Sequence, residues 1–153
     1  MTEAQRRLIE RSLLELLPML DSVGTGFYTR LFALDSALRP LVPATVEDQL
    51  QTFQEALGVM IATLQDPTTT RRLLAEMGAQ WHTSGVPQHA YATAGQALLE
   101  ILALALGPRW TPDMRDAWAA FYAEVVAVMA PLHEPAGPYP WGYSAPDYSG
   151  AFL

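Results

Sequence analysis

The sequence predicts an all-α domain of six or seven helices, and three observations carry that prediction. Hydrophobic residues make up 50% of the 153-residue chain. They recur at three- and four-residue spacings, and few stretches alternate with a period of two. Strong helix formers (Leu, Ala, Gln, Glu and Arg) dominate, and Thr, Asp, Pro and Gly punctuate the apolar stripes where helices start and stop. A chain of this length forms one domain around a single sizeable core.

The first helix opens on Thr2 and Gln5, a capping-box spacing, and carries Leu8, Ile9, Leu13, Leu16, Leu17 and Leu20 on one side. Pro18 bends or ends it. Gly24 and Gly26 either break the chain or permit a close helix crossing, ahead of a second amphipathic piece, GFYTRLFAL. Asp35-Ser36 then opens a short turn, ALRPLV, closed by Pro43. A long helix runs from about Thr45 to Gln65, with Val46, Leu50, Phe53, Leu57, Met60, Ile61 and Leu64 in its stripe. Asp66-Pro67 ends it, and the next helix begins after Thr68.

That next helix puts Leu74 and Gly78 on one face with His82, and Leu73, Met77 and Trp81 beside them. Thr83-Ser84-Gly85, with Pro87 beyond, stops it. A further helix starts near Pro87 and runs to Leu106, where Gly107-Pro108 ends it. Thr111-Pro112-Asp113 combines a hydroxyl cap, a first-turn proline and an acid at the positive end of the dipole. The last helix presents Met114, Ala117, Trp118, Phe121, Val125 and Met129, and frays near Pro131 and Pro135. The domain spans residues 1–134. Residues 135–153, rich in Pro, Gly, Ser and aromatics, form an irregular tail.

Composition narrows the function. The formal charge is −7 and every basic residue is an arginine, clustered only as Arg6-Arg7 and Arg71-Arg72. That balance argues against nucleic acid or an anionic membrane surface as partner. The absence of cysteine removes disulfides, thiolate ligands and cysteine nucleophiles. The charged opening MTEAQRRLIERS does not match a secretion signal. Apolar runs such as Ile101 to Leu106 fall short of the roughly 20 residues that span a bilayer. A cytoplasmic protein, monomeric or homodimeric, is expected.

Three polar residues interrupt apolar stripes. A neutral imidazole at the buried end of a helix suits the fifth ligand of an iron porphyrin, and His82 reads either so or as a core histidine bonded to a neighbour. Tyr28 shares a face with Leu31 and Phe32 and is either a core tyrosine or a pocket donor. Gln49, one turn before Phe53, is either an edge amide or a second donor. Burying a hydroxyl or an amide costs a few kcal/mol unless it finds a partner.

The segments FYTRLFALDSALRPLV, DQLQTF, AQWHTSGV, YATAGQALL and DAWAAFYAEVVAVM, in that order, resemble a bacterial single-domain globin. The resemblance covers about residues 1–132 and is nearest the globin halves of flavohaemoglobins and related bacterial haemoglobins. It implies a globin fold around haem b, with His82 as proximal iron ligand and Tyr28 and Gln49 on the distal face. It also implies that Val42, Phe53, Leu57, Val86 and Tyr91 line the cofactor site. A phenol and an amide donor suit a gas ligand that gains negative charge on binding. Tyr91 matches a tyrosine that helps orient the proximal imidazole in flavohaemoglobins.

Departures from the family pattern also carry information. Val42 stands where globins hold a phenylalanine against the haem, which implies a looser pocket. The acid of the proximal group falls on His133, with Glu134 beside it, and the His82–Tyr91 loop is one residue short. His89 is expected as a surface or loop histidine. The implied function is reversible binding of dioxygen and other diatomics, nitric oxide and carbon monoxide among them, as in oxygen transport. Nitric oxide dioxygenation would need a separate reductase. The alternative is a haem-based sensor or interaction module acting through Tyr139, Trp141, Tyr143, Tyr148 and Phe152.

Overall fold

The computed structural model describes residues 1–130, so His133, Glu134 and the expected tail lie outside the described residues. Six α-helices account for most of the chain: α1 (Glu3–Leu16), α2 (Leu20–Leu34), α3 (Val46–Gln65), α4 (Pro67–Thr83), α5 (His89–Leu106) and α6 (Pro112–Met129). Short 3₁₀ turns at Leu17–Met19, Ser36–Leu41 and Gly107–Arg109 join some of them. Among the described residues there is no strand.

Side chains at the helix starts explain most of these boundaries. Thr2 and Gln5 form a reciprocal capping box on α1. The side chains of Thr45, Asp66 and Thr111 accept from Asp48, Thr69 and Met114 N–H at 3.1, 3.1 and 3.2 Å. Helix α5 has no side-chain cap, and burial along its length holds it instead. Leu98, Leu99, Leu102 and Leu106 are all interior, each contributing about 1.5–3 kcal/mol. By length and composition His89–Arg109 could cross a bilayer. Its inward face marks it as the core helix of this bundle.

Helix α6 forms the floor, touching α1, α4 and α5. Every residue of its expected stripe, from Met114 to Met129, is buried. Trp118 is fully enclosed, and its indole N–H donates to Ser12 Oγ at 2.9 Å, which in turn donates to the Ile9 carbonyl at 2.7 Å. A wholly buried indole is thereby satisfied.

Several expectations change at the edges. Gly24 and Gly26 do not break the chain. They sit inside α2, where α3 and α5 approach so closely that a Cβ would meet Leu50, Phe53 or Ile101. Leu17 is 55% exposed because the turn at Pro18 swings it out of the α1 stripe, and Val46 is 59% exposed in the first turn of α3. His89 lies in a helix rather than a loop: it begins α5 and its Nε2 is 3.1 Å from Asp35 Oδ2.

Gly78 marks the α4–α6 crossing, where a Cβ would lie 2.5 Å from the Met129 carbonyl oxygen. Gly78→Ala should therefore cost about 1–3 kcal/mol, read as a lower denaturant midpoint at unchanged slope. Gly58→Ala, in α3 with nothing near the added methyl, should instead stabilise by about 0.5–1 kcal/mol.

Candidate functional site

Helices α2, α3, α4 and α5 enclose a cavity of about 550 Å³, within the range typical of small-molecule and cofactor pockets. Phe27, Tyr28 and Leu31 come from α2, and Leu38, Val42 and Pro43 from the turn after it. Helix α3 adds Thr52, Ala56 and Val59, and α4 adds Met77 and Trp81. Val86, Ala90, Tyr91 and Ala94 complete the wall, while the exposed Glu55, Gln80 and Ser84 mark its rim. The wall is mainly apolar.

Tyr28 is the principal polar group within it. The residue is 6% exposed and flanked by Phe27, edge-on at 5.1 Å, and by Phe32 at 6.1 Å. Its hydroxyl makes no hydrogen bond among the described residues. Burial pushes its pKa up to about 12, because a phenolate would lose its hydration here. At neutral pH the group is a fixed proton donor.

Tyr91 also lines the cavity, from the first turn of α5. It stacks on Trp81 at 5.7 Å with planes 25° apart, and the buried Tyr122 hydroxyl donates to its carbonyl at 2.7 Å. Tyr122 had no signal in the sequence beyond one aromatic among many. The contact fixes the first turn of α5 against α6.

Four of the expected site residues therefore lie on the wall: Tyr28, Val42, Val86 and Tyr91. Four do not. His82, in the last turn of α4, is exposed and off the wall. Its face continues Leu74 and Gly78, which look toward α6, whereas the cavity face of α4 is Met77 and Trp81 with Ser84 just beyond. One residue is about 100° of helix rotation, so an inward Trp81 turns His82 away. Gly85, at φ +87°, holds this register: Val86 N–H donates to the Trp81 carbonyl and Gly85 N–H to that of His82, both at 3.0 Å.

Helix α3 shows the same offset. Phe53 and Leu57 are buried off the wall, Phe53 against Phe27 at 5.4 Å. Thr52 and Ala56 take the cavity face one residue earlier. Gln49 is also off the wall, and its Nε2 donates to the Pro43 carbonyl at 2.9 Å, pinning the corner between the 3₁₀ turn and α3.

A helical shell around a mainly apolar cavity, with Tyr28 and Tyr91 buried on its wall, has the size and character of a site for a small molecule or prosthetic group. The globin family profile matches residues 26–129, more than half of the chain, and the protein belongs to that family. It is similar to neuroglobin of Danio rerio, 28% identical over 120 residues that cover 69% of this chain and 76% of that protein. The anaerobic nitrite reductase HBII of Casuarina glauca is 24% identical over 145 residues, covering 84% and 89%. Among solved structures, the closed form of the globin domain of HGbRL aligns with 27% identity and a TM-score of 0.42, over 87% of this chain and 96% of that one. Membership of the globin family implies binding of haem and of gas ligands.

The folded protein holds the Tyr28 proton to about pH 12, above the ordinary 10.0. The unfolded chain releases it earlier, so stability from the neutral buried phenol is complete below pH 10.0 and is lost as pH rises toward 12. Tyr28→Phe should remove one step, near pH 12, from the tyrosinate absorbance titration. It should also flatten the fall of stability across that interval, measured by urea melts.

Proposed function

We propose that the cavity holds haem b, with His82 as the iron ligand and Tyr28 as hydrogen-bond donor to a gas bound on the other face. One observation carries the proposal: in a globin-family chain, Tyr28, only 6% exposed, stands on the wall of a mainly apolar cavity, its hydroxyl making no hydrogen bond among the described residues. When bound, haem supplies an iron centre that takes dioxygen and other diatomic gases.

The chain's own residues bind, exclude water and hold a proton. Phe27, Leu31, Val42, Val59, Met77 and Val86 offer apolar surface to a flat macrocycle. The Val42 side chain leaves more room than a phenylalanine would. Tyr28, uncharged up to about pH 12, keeps its proton available to a partly negative ligand end.

Trp81 rather than His82 now faces the cavity, so ligation requires the last turn of α4 to rotate by one residue, about 100°. Gln49, bonded to Pro43, acts here as a corner latch. Turnover of nitric oxide would draw electrons from a separate reductase, and a cytoplasmic setting suits a chain free of cysteine.

Adding haem to the purified protein should give a Soret band that His82→Ala abolishes or shifts. Tyr28→Phe should retain the band and release dioxygen roughly 10–100-fold faster, the loss of a hydrogen bond to a charged acceptor. A protein that stays colourless, or whose spectrum ignores His82→Ala, overturns the proposal.

A further inference from the structure

One stretch of the cavity wall is fastened differently from the rest. Leu38, Leu41, Val42 and Pro43 reach the cavity from the segment 36–43, which carries the 3₁₀ turn Ser36–Leu41. The other wall elements are mostly long helices that pack on one another, α2 on α3 and α5, and α3 on α4. The turn packs mainly on α2, the helix it leaves. Leu38 is the one deeply buried side chain of the segment. Its backbone bonds are few and long: Leu38 and Val42 N–H donate at 3.2 and 3.4 Å, and Pro40 and Pro43 have no N–H to give. Two polar ties close its ends. At the start, Asp35, whose side chain also accepts from Ala37 N–H at 3.1 Å, lies 3.1 Å from His89 Nε2 on α5. At the finish, Gln49 of α3 donates to the Pro43 carbonyl at 2.9 Å.

We infer that residues 36–43 form a strap over the cavity, held shut by the Asp35–His89 and Gln49–Pro43 clasps and opening as a unit while the helices stay packed. A segment with little buried apolar surface and few backbone bonds opens at lower free energy than the core it covers. The residues on either side of the turn are extended, Asp35 at φ −152° and ψ 95°, Val42 at φ −111° and ψ 162°. Rotations at those two points swing the strap without bending a helix. Arg39, over the Phe32 ring of α2 at 4.4 Å, is an exposed contact between the clasps. An open strap uncovers Leu38 and gives the cavity an entrance besides the rim at Glu55, Gln80 and Ser84. The strap governs access and is independent of which group the cavity takes.

The chain has no cysteine, so one engineered thiol reports opening through its reaction with a maleimide. Leu38→Cys should react at least ~10-fold faster than Val126→Cys, enclosed in α6, and low urea should hardly change its rate, because local opening exposes little surface. Gln49→Leu and His89→Leu should each speed the Leu38→Cys reaction about three- to tenfold, the loss of one hydrogen bond, and together by about the product of the two. Arg72→Ala, which breaks an exposed ion pair on α4, should leave it unchanged. Should Leu38→Cys fail to fold, deuterium exchange at the Leu38 and Val126 N–H groups of the unsubstituted chain, with and without the clasp variants, makes the same comparison. Equal rates at positions 38 and 126 with equal urea dependence overturn the strap, as does a position-38 rate that ignores both clasp variants. Opening observed as expected in a protein that takes up no haem overturns the haem reading alone.

Discussion

The structure depends on the seating of α6 against the rest of the bundle. Trp118, Phe121 and Val126 are almost wholly enclosed, and α6 meets α1, α4 and α5 along one continuous apolar surface. The indole bond to Ser12 and the Tyr122 hydroxyl bond to the Tyr91 carbonyl remove polar penalties in that surface. With these contacts made below, the upper parts of α2, α3, α4 and α5 need not collapse on one another. Interiors are otherwise packed to crystal-like density, and the cavity of about 550 Å³ lies where α2, α3, α4 and α5 meet away from these contacts. Gly78 works to the same end, letting α4 lie directly on the Met129 backbone while its neighbouring face stands over the cavity.

Fold and site were legible in the sequence to different depths. The caps Thr2, Thr45 and Thr111, the stops at Asp66-Pro67 and Gly107, and the α6 stripe all translate directly into structure. They rest on local hydrogen bonds and on one-sided burial. The wall of the cavity is less legible because α3 and α4 each carry two apolar stripes side by side. On α3 these are Phe53–Leu57–Leu64 and Ala56–Val59, and on α4 Leu74–Gly78 and Met77–Trp81. A period of 3.6 residues identifies both stripes but not which meets a neighbouring helix and which meets open space. That choice is tertiary, made here by Gly24 against Leu50 and Phe53 and by Gly78 against Met129. His82, Gln49, Phe53 and Leu57 all fall on the stripe that the cavity does not use. Tyr28 and Tyr91 escape the ambiguity because each is deeply buried and faces the cavity from a helix packed firmly elsewhere.

The electrostatics of the site are simple because so little charge reaches it. The strong ion pairs, Arg6 with Glu3 and Glu10 and Arg30 with Glu100, lie on the outer surface, where such pairs contribute at most about 1 kcal/mol and salt screens them. Inside, polarity comes from neutral hydroxyls. In a low-dielectric cavity a neutral donor carries a smaller desolvation cost than a charged one and still orients a polar ligand.

The end of α4 is where these features meet. Trp81 takes the cavity side, stacked on Tyr91 with its indole half-buried, and the Val86 and Gly85 N–H groups bonded to the Trp81 and His82 carbonyls hold that register. An aromatic pair adds about 0.5–1.5 kcal/mol beyond the area it buries, and terminal turns of helices fray readily. Tyr91 is anchored through its carbonyl to the Tyr122 hydroxyl. The helix start held by Tyr122 is thus the fixed surface against which Trp81 at the end of α4 packs.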